Sequence, residues 1–81
     1  MRIFNLNKVY NVVCNSQGTS YGFKHTATLH KNGFEIAKAK RCYYNRTWES
    51  FEYESILIDI VNFNFTGTEK IKFLEVVKNG R

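Results

Sequence analysis

Thiol and imidazole groups, which can act as nucleophile, general base or metal ligand, occur at Cys14, Cys42, His25 and His30. A cysteine beside a histidine base is the arrangement of a thiol nucleophile, so Cys42 and His25 form the pair to consider across a hairpin. The strand pairing that we favour, however, places these two side chains on opposite faces. His25 and His30 also lie on opposite faces of one strand and cannot share a metal ion.

No recognised catalytic motif accompanies the cysteine and histidine residues. The sequence has no glycine-rich phosphate loop, no paired-histidine zinc motif, no nucleophile elbow and no paired acids of a metal nuclease. Cys14 and Cys42 have no CxxC spacing, and we expect both to be small, buried hydrophobic side chains in a reduced protein. We therefore predict a protein that is not an enzyme and that needs no cofactor or metal.

Charge is distributed unevenly along the chain, whose net charge is +5. Residues 1–46 hold eight basic residues and one acid, whereas residues 47–65 hold four acids and no Lys or Arg. Such a dipolar molecule is suited to recognise partners through charged surfaces.

The length of 81 residues allows one domain, residues 1–81, with a single core. A hydrophobic content of 43% and an aromatic content of 16% are those of a folded protein. No apolar run resembles a signal peptide or reaches the length of a membrane span. We expect a cytoplasmic protein that does not bind membranes.

Alternating side-chain patterns predict a three-stranded antiparallel meander. Residues 8–15 are rich in Val and Tyr, residues 16–20 indicate a turn, and residues 21–30 alternate cleanly between apolar and polar side chains. A third strand follows the turn signal at Asn32 and Gly33. Residues 1–7 are either a short edge strand or an ordered lead-in.

The turn at Asn32 and Gly33 decides which residues of the third strand are buried. A two-residue loop would put Ala27 opposite Lys38 and mix apolar with charged side chains on one face. A three-residue loop ending in Gly33 pairs Ala27 with Ala37 instead. We prefer this second register because the buried face of a sheet fixes its pairing.

In this register one face of the sheet is basic and polar, with the side chains of Lys24, Thr26, Thr28, His30, Lys38 and Lys40. Lys and Thr on a pleated surface can follow nucleic-acid phosphates, and Arg41 lies beside them in sequence. The alternative is a solvated face whose lysines prevent aggregation through the sheet edge.

A long helix should follow the sheet, with Thr47 as its N-cap. Its predicted core arc contains Tyr53, Ile56, Leu57, Ile60, Val61 and Phe63. This arc would pack on a lane of small residues on the inner face of the sheet: Ala27, Ala37 and Ala39. Glu52 and Asp59 flank the arc, where they either dock a basic partner or form an ordinary solvated face.

A short C-terminal element should begin after the break at residues 66–68. Phe73, Val76 and Val77 share one face if this element is a helix, which we favour, although its β-branched residues also permit a strand. The predicted fold class is α+β, with a three-stranded antiparallel meander, one long helix on its inner face and this C-terminal element.

The junction between sheet and helix reads Tyr43-Tyr44-Asn45-Arg46-Thr47-Trp48-Glu49, followed by Phe51. This string resembles a motif of small proteins from bacteriophages and other mobile elements, chiefly of Gram-positive bacteria. The resemblance implies an anti-defence inhibitor, as anti-CRISPR proteins are, that binds a host defence protein or nucleoprotein complex. Arg46 is the motif residue expected to reach that partner, and direct DNA or RNA binding is the alternative.

Overall fold

The computed structural model describes residues 2–20, 22–44 and 50–79. These residues form an α+β fold with an antiparallel sheet and helices, as predicted. The elements in chain order are β1 (Arg2–Asn5), β2 (Tyr10–Thr19), β3 (Gly22–Lys31), β4 (Phe34–Tyr44), α1 (Ser50–Asn64) and α2 (Gly67–Asn79). The predicted N-cap Thr47 lies outside the described residues.

The sheet has four strands in the order β1-β2-β3-β4, so the predicted count of three is wrong. The additional strand is β1, which pairs with β2 from Arg2–Cys14 to Asn5–Asn11. Strand β1 is held in the sheet because its inward side chain, Phe4, is buried in the core. Leu6, just after the strand, is buried there as well. These two apolar residues make the short N-terminal segment a part of the sheet.

The β3–β4 hairpin has a two-residue turn, so the predicted three-residue loop is wrong. Asn32 and Gly33 have φ angles of 52° and 84°. Lys31 pairs with Phe34 on either side of them. Two successive positive φ angles are those of a type I′ turn, whose twist matches that of the flanking strands, and Asn-Gly is its favoured sequence.

A β-bulge next to this turn restores the buried face. The pairing shifts between Leu29 and His30, so that Ile36 is the extra residue on β4. Beyond the bulge, Leu29 pairs with Ala37, and Ala27 pairs with Ala39 rather than with Ala37 as predicted. The local turn and the buried face are thus both satisfied, because one extra residue reverses the side-chain alternation along β4.

Helix α1 packs on the inner face of the sheet through most of the predicted arc. Its buried side chains are Tyr53, Ile56, Leu57, Ile60 and Val61. Phe63 was predicted to join them, but 84% of it is exposed. It lies at the edge of the arc in the last turn of α1, and Phe65 takes the interior position just beyond the helix.

The C-terminal element is a helix, α2, and its predicted face is confirmed by the burial of Phe73 and Val77. Gly67 separates it from α1 with a positive φ of 60°. The ring of Phe73 meets Phe65 at 4.6 Å and Tyr10 at 5.8 Å between centroids. This aromatic cluster connects α2 to the beginning of β2. Within the described residues, neither helix has the length and apolar character to cross a membrane.

Candidate nucleic-acid interface

The outer face of the sheet is the face turned away from the helices. Strand pairing arranges its side chains in rows that cross β2, β3 and β4. The rows are Val13–Thr28–Lys38, Asn15–Thr26–Lys40 and Gln17–Lys24–Cys42. In contrast, the core residues of β2 and β3 occupy the other side of these strands. From β2 to β4 the outer face is mainly polar and basic, and Val13 is the apolar member of its rows.

The three predicted lysines of this face are brought together. Lys38 and Lys40 are exposed, and Lys24 is half-buried. Lys38 and Lys40 lie two residues apart on β4, so their Cα atoms are separated by about 6.5 Å. None of the three makes an ion pair with another described residue. Their charge is available to an anionic ligand.

Acidic residues are scarce in the sequence that builds this face. Glu35 is the first acid of the chain and the only one within β4. It pairs with His30 next to the turn, beyond the bulge that separates it from the lysines. The electrostatic field over the rows is therefore positive, and it would attract a polyanion.

Arg41 and Asp59, both predicted to contact a partner, are brought together by the fold. The Arg41 guanidinium forms an ion pair with the Asp59 carboxylate and also lies 3.4 Å from both the carbonyl oxygen and the hydroxyl of Ser55. Arg41 pairs with His25 and so lies on the inner side of β4, beneath α1. This ion pair joins β4 to α1. It also removes one charge from each predicted contact surface.

For two other predicted contact residues, the structure describes no side chain. Arg46 falls in the undescribed segment 45–49, and the side chain of Glu52 is likewise not described. Residues 45–49 of the junction motif therefore contribute no geometry to the interface. The candidate interface is therefore formed by Lys24, Lys38 and Lys40.

The two cysteines occupy different environments. Cys14 is buried, and this burial raises the pKa of its thiol to about 11 despite a hydrogen bond with Tyr53. Burial likewise raises the pKa of Tyr53 to about 12. Cys42 is exposed on the outer face, so its predicted burial is wrong, because the alternation of β4 directs it away from the helix. His25 lies on the inner side of the sheet, so Cys42 and His25 do not form a nucleophile–base pair.

Asn15 and Gln17 were not predicted as part of the interface. Residues 16–20 have a turn-like composition, yet β2 continues through them as far as Thr19, which pairs with Gly22. The cross-strand partners on β3 maintain this extension against the weak strand preference of Ser and Gly. If the alternation of residues 8–15 is continued through Gln17, the side chains of Asn15 and Gln17 both fall on the outer face.

Known proteins provide no further guide to this surface. No family model matches the chain, and neither curated proteins nor solved structures gave a significant match. Among the described residues, no group of three His, Cys, Asp or Glu side chains is arranged to hold a metal ion.

Proposed function

We propose that this protein is a non-enzymatic nucleic-acid-binding protein that uses the outer face of its sheet. The supporting observation is the grouping of Lys24, Lys38 and Lys40 on an open face, where no described side chain forms an ion pair with them. Lysines that neutralise phosphates release condensed counterions, which drives binding. The hydroxyl of Thr26, which is half-buried next to the lysines, can donate a hydrogen bond to a phosphate oxygen.

Replacing two of these lysines should weaken binding strongly. In the Lys38→Glu, Lys40→Glu variant we expect Kd for a short DNA duplex to rise at least tenfold at low salt. The slope of log K against log salt should fall by about 2, because two phosphate contacts are lost. Fluorescence anisotropy over a salt series measures both quantities.

A charge-matched variant provides the control for this experiment. Lys70→Glu with Lys72→Glu makes the same charge change on α2, which belongs to the helical side of the molecule. We expect this variant to keep most of the affinity and the full salt slope. Equal weakening by both pairs of substitutions, or no binding by the unchanged protein at low salt, would contradict the proposal.

A second proposal is that the protein inhibits a nucleic-acid-handling or defence complex in the cytoplasm of a bacterial host. The support is the junction motif together with exposed apolar side chains on the edge strand β4. Phe34 is 76% exposed and Ile36 is 52% exposed, close in sequence to Lys38. Aromatic and apolar groups beside cations suit a protein interface.

Affinity purification from a bacterial host, with and without nuclease treatment, tests this inhibitor proposal. We expect a nuclease or defence complex that remains bound after nuclease treatment and is lost with Phe34→Ser. Phe63→Ser is the matched control, because Phe63 is similarly exposed, at 84%, but belongs to α1. Recovery of no such complex, with unchanged phage restriction, would exclude the inhibitor role and leave direct nucleic-acid binding intact.

A further inference from the structure

One end of the sheet extends beyond its short edge strand. Strand β1 covers β2 only as far as Cys14, whereas β2 and β3 remain paired to Thr19 and Gly22. We call residues 15–19 and 22–26 the distal arm. Every residue from 15 to 20 is exposed. The arm therefore presents a polar ribbon to solvent at a place where β1 does not widen the sheet.

The outward side chains of the distal arm combine amides with a lysine. Gln17 pairs with Lys24, and Asn15 pairs with Thr26. Cross-strand neighbours of this kind have Cβ atoms about 5 Å apart, and residues two apart on one strand are separated by about 6.5 Å. All four side chains therefore lie on one compact surface and can reach adjacent positions of a ligand.

These residue types match the hydrogen-bonding groups of base edges in duplex DNA. Asn and Gln pair in bidentate fashion with adenine through N6 and N7, and Lys donates to O6 and N7 of guanine. The major groove, about 12 Å wide, admits a β-ribbon. Strand β4 pairs with β3 from Gly22 to Thr26, so the sheet is three strands wide at the arm. These three strands span about 10 Å between the axes of the outer two, which is within the width of the groove.

We infer that the distal arm reads base edges in the major groove of duplex DNA through Gln17, Asn15 and Lys24. This inference rests on the proposed nucleic-acid binding and assigns its ligand. Lys38 and Lys40 continue the same face on β4 and would contact the flanking phosphates. Phosphate contacts fix the orientation of a protein on the duplex, and base contacts provide its sequence preference.

The composition of the rows and the shape of the RNA duplex favour duplex DNA over other nucleic acids. Proteins that bind single strands stack bases on aromatic side chains. Among the described side chains in the rows of the outer face, none is Phe, Tyr or Trp. The major groove of an RNA duplex is deep and too narrow for side chains to read. The absence of Asp and Glu from residues 1–34 also removes electrostatic repulsion where the arm would approach DNA.

Selection from a random-sequence DNA duplex library, at one fixed salt concentration, tests this inference. The unchanged protein should enrich a short motif containing adenine. Gln17→Ala should reduce the preference for one adenine position about tenfold. Its salt slope should remain unchanged, because Gln17 contacts no phosphate in this arrangement. Asn62→Ala, an exposed amide on α1, is the control and should leave the motif intact.

The outcomes separate this inference from the proposed function. Salt-dependent binding without an enriched motif, or a motif unchanged by Gln17→Ala, would overturn base reading and leave general nucleic-acid binding in place. Equal competition by single-stranded DNA or duplex RNA would also overturn it. If the unchanged protein bound no nucleic acid at low salt, both the inference and the proposed function would fail.

Discussion

Phe73→Ala should lower the free energy of unfolding by about 4 kcal/mol. Phe73 is 5% exposed and has its ring against Phe65 and Tyr10. Its truncation removes apolar burial, opens a cavity and deletes two edge-to-face aromatic contacts. A domain of this length has a total stability of about 4 to 12 kcal/mol, so this single change should bring it close to unfolding at 37 °C.

The matched control for this prediction is Phe63→Ala. The same substitution is made in a helix, but Phe63 is 84% exposed, so the change should stay within about 0.5 kcal/mol. Urea unfolding followed by circular dichroism measures both variants. Similar losses for the two, or a loss below about 1 kcal/mol for Phe73→Ala, would show that the aromatic cluster does not hold α2 in place.

Ile56→Ala should cost about 3 kcal/mol, the second largest effect that we expect. Ile56 is completely buried in the face of α1 that packs on the sheet. Removing three side-chain carbons there loses transfer free energy and leaves a cavity that the rigid sheet cannot close. Thermal and urea unfolding should both detect this loss, with Tm lower by more than 10 °C, taking about 4 to 8 °C per kcal/mol for a domain of this size.

Ile71→Ala is the control for Ile56→Ala, because it makes the same substitution at an exposed position. Ile71 lies in α2 and is 59% exposed. Both substitutions replace a β-branched residue by alanine within a helix, so both gain the same small helix propensity. The difference between the two variants then measures the packing of α1 on the sheet. If the difference were negligible, the inner face would not be a close-packed interface.

The periodicity of the chain was sufficient to predict the fold class and the lysine face. Alternation around Ala27 separated an apolar side of β3 from a polar one, and the helical spacing of residues 53–61 matched an apolar arc. Lys24, Lys38 and Lys40 fell on the outer face for the same reason. The predicted and observed registers of β4 differ by two residues, so the same side chains face outward in both.

Features set by competition between local and tertiary preferences were not predictable in the same way. The Asn32-Gly33 turn favours one register and the buried face another, and the bulge at Ile36 accommodates both. Residues 16–20 have turn composition but continue β2 because β3 provides hydrogen-bonding partners. The contact between Arg41 and Asp59 depends on how α1 crosses β4, which no spacing within one element specifies.

The bulge at Ile36 also bears on how the hairpin assembles. A type I′ turn forms from local contacts, and hairpins close within microseconds, well before a distant helix can dock. Continued without interruption, pairing from this turn would place Lys38 opposite Ala27, beneath the future position of α1. The bulge at Ile36 removes Lys38 from this position and places Ala39 opposite Ala27 instead. Packing of α1 on the sheet therefore favours the bulged register, which keeps Lys38 on the outer face.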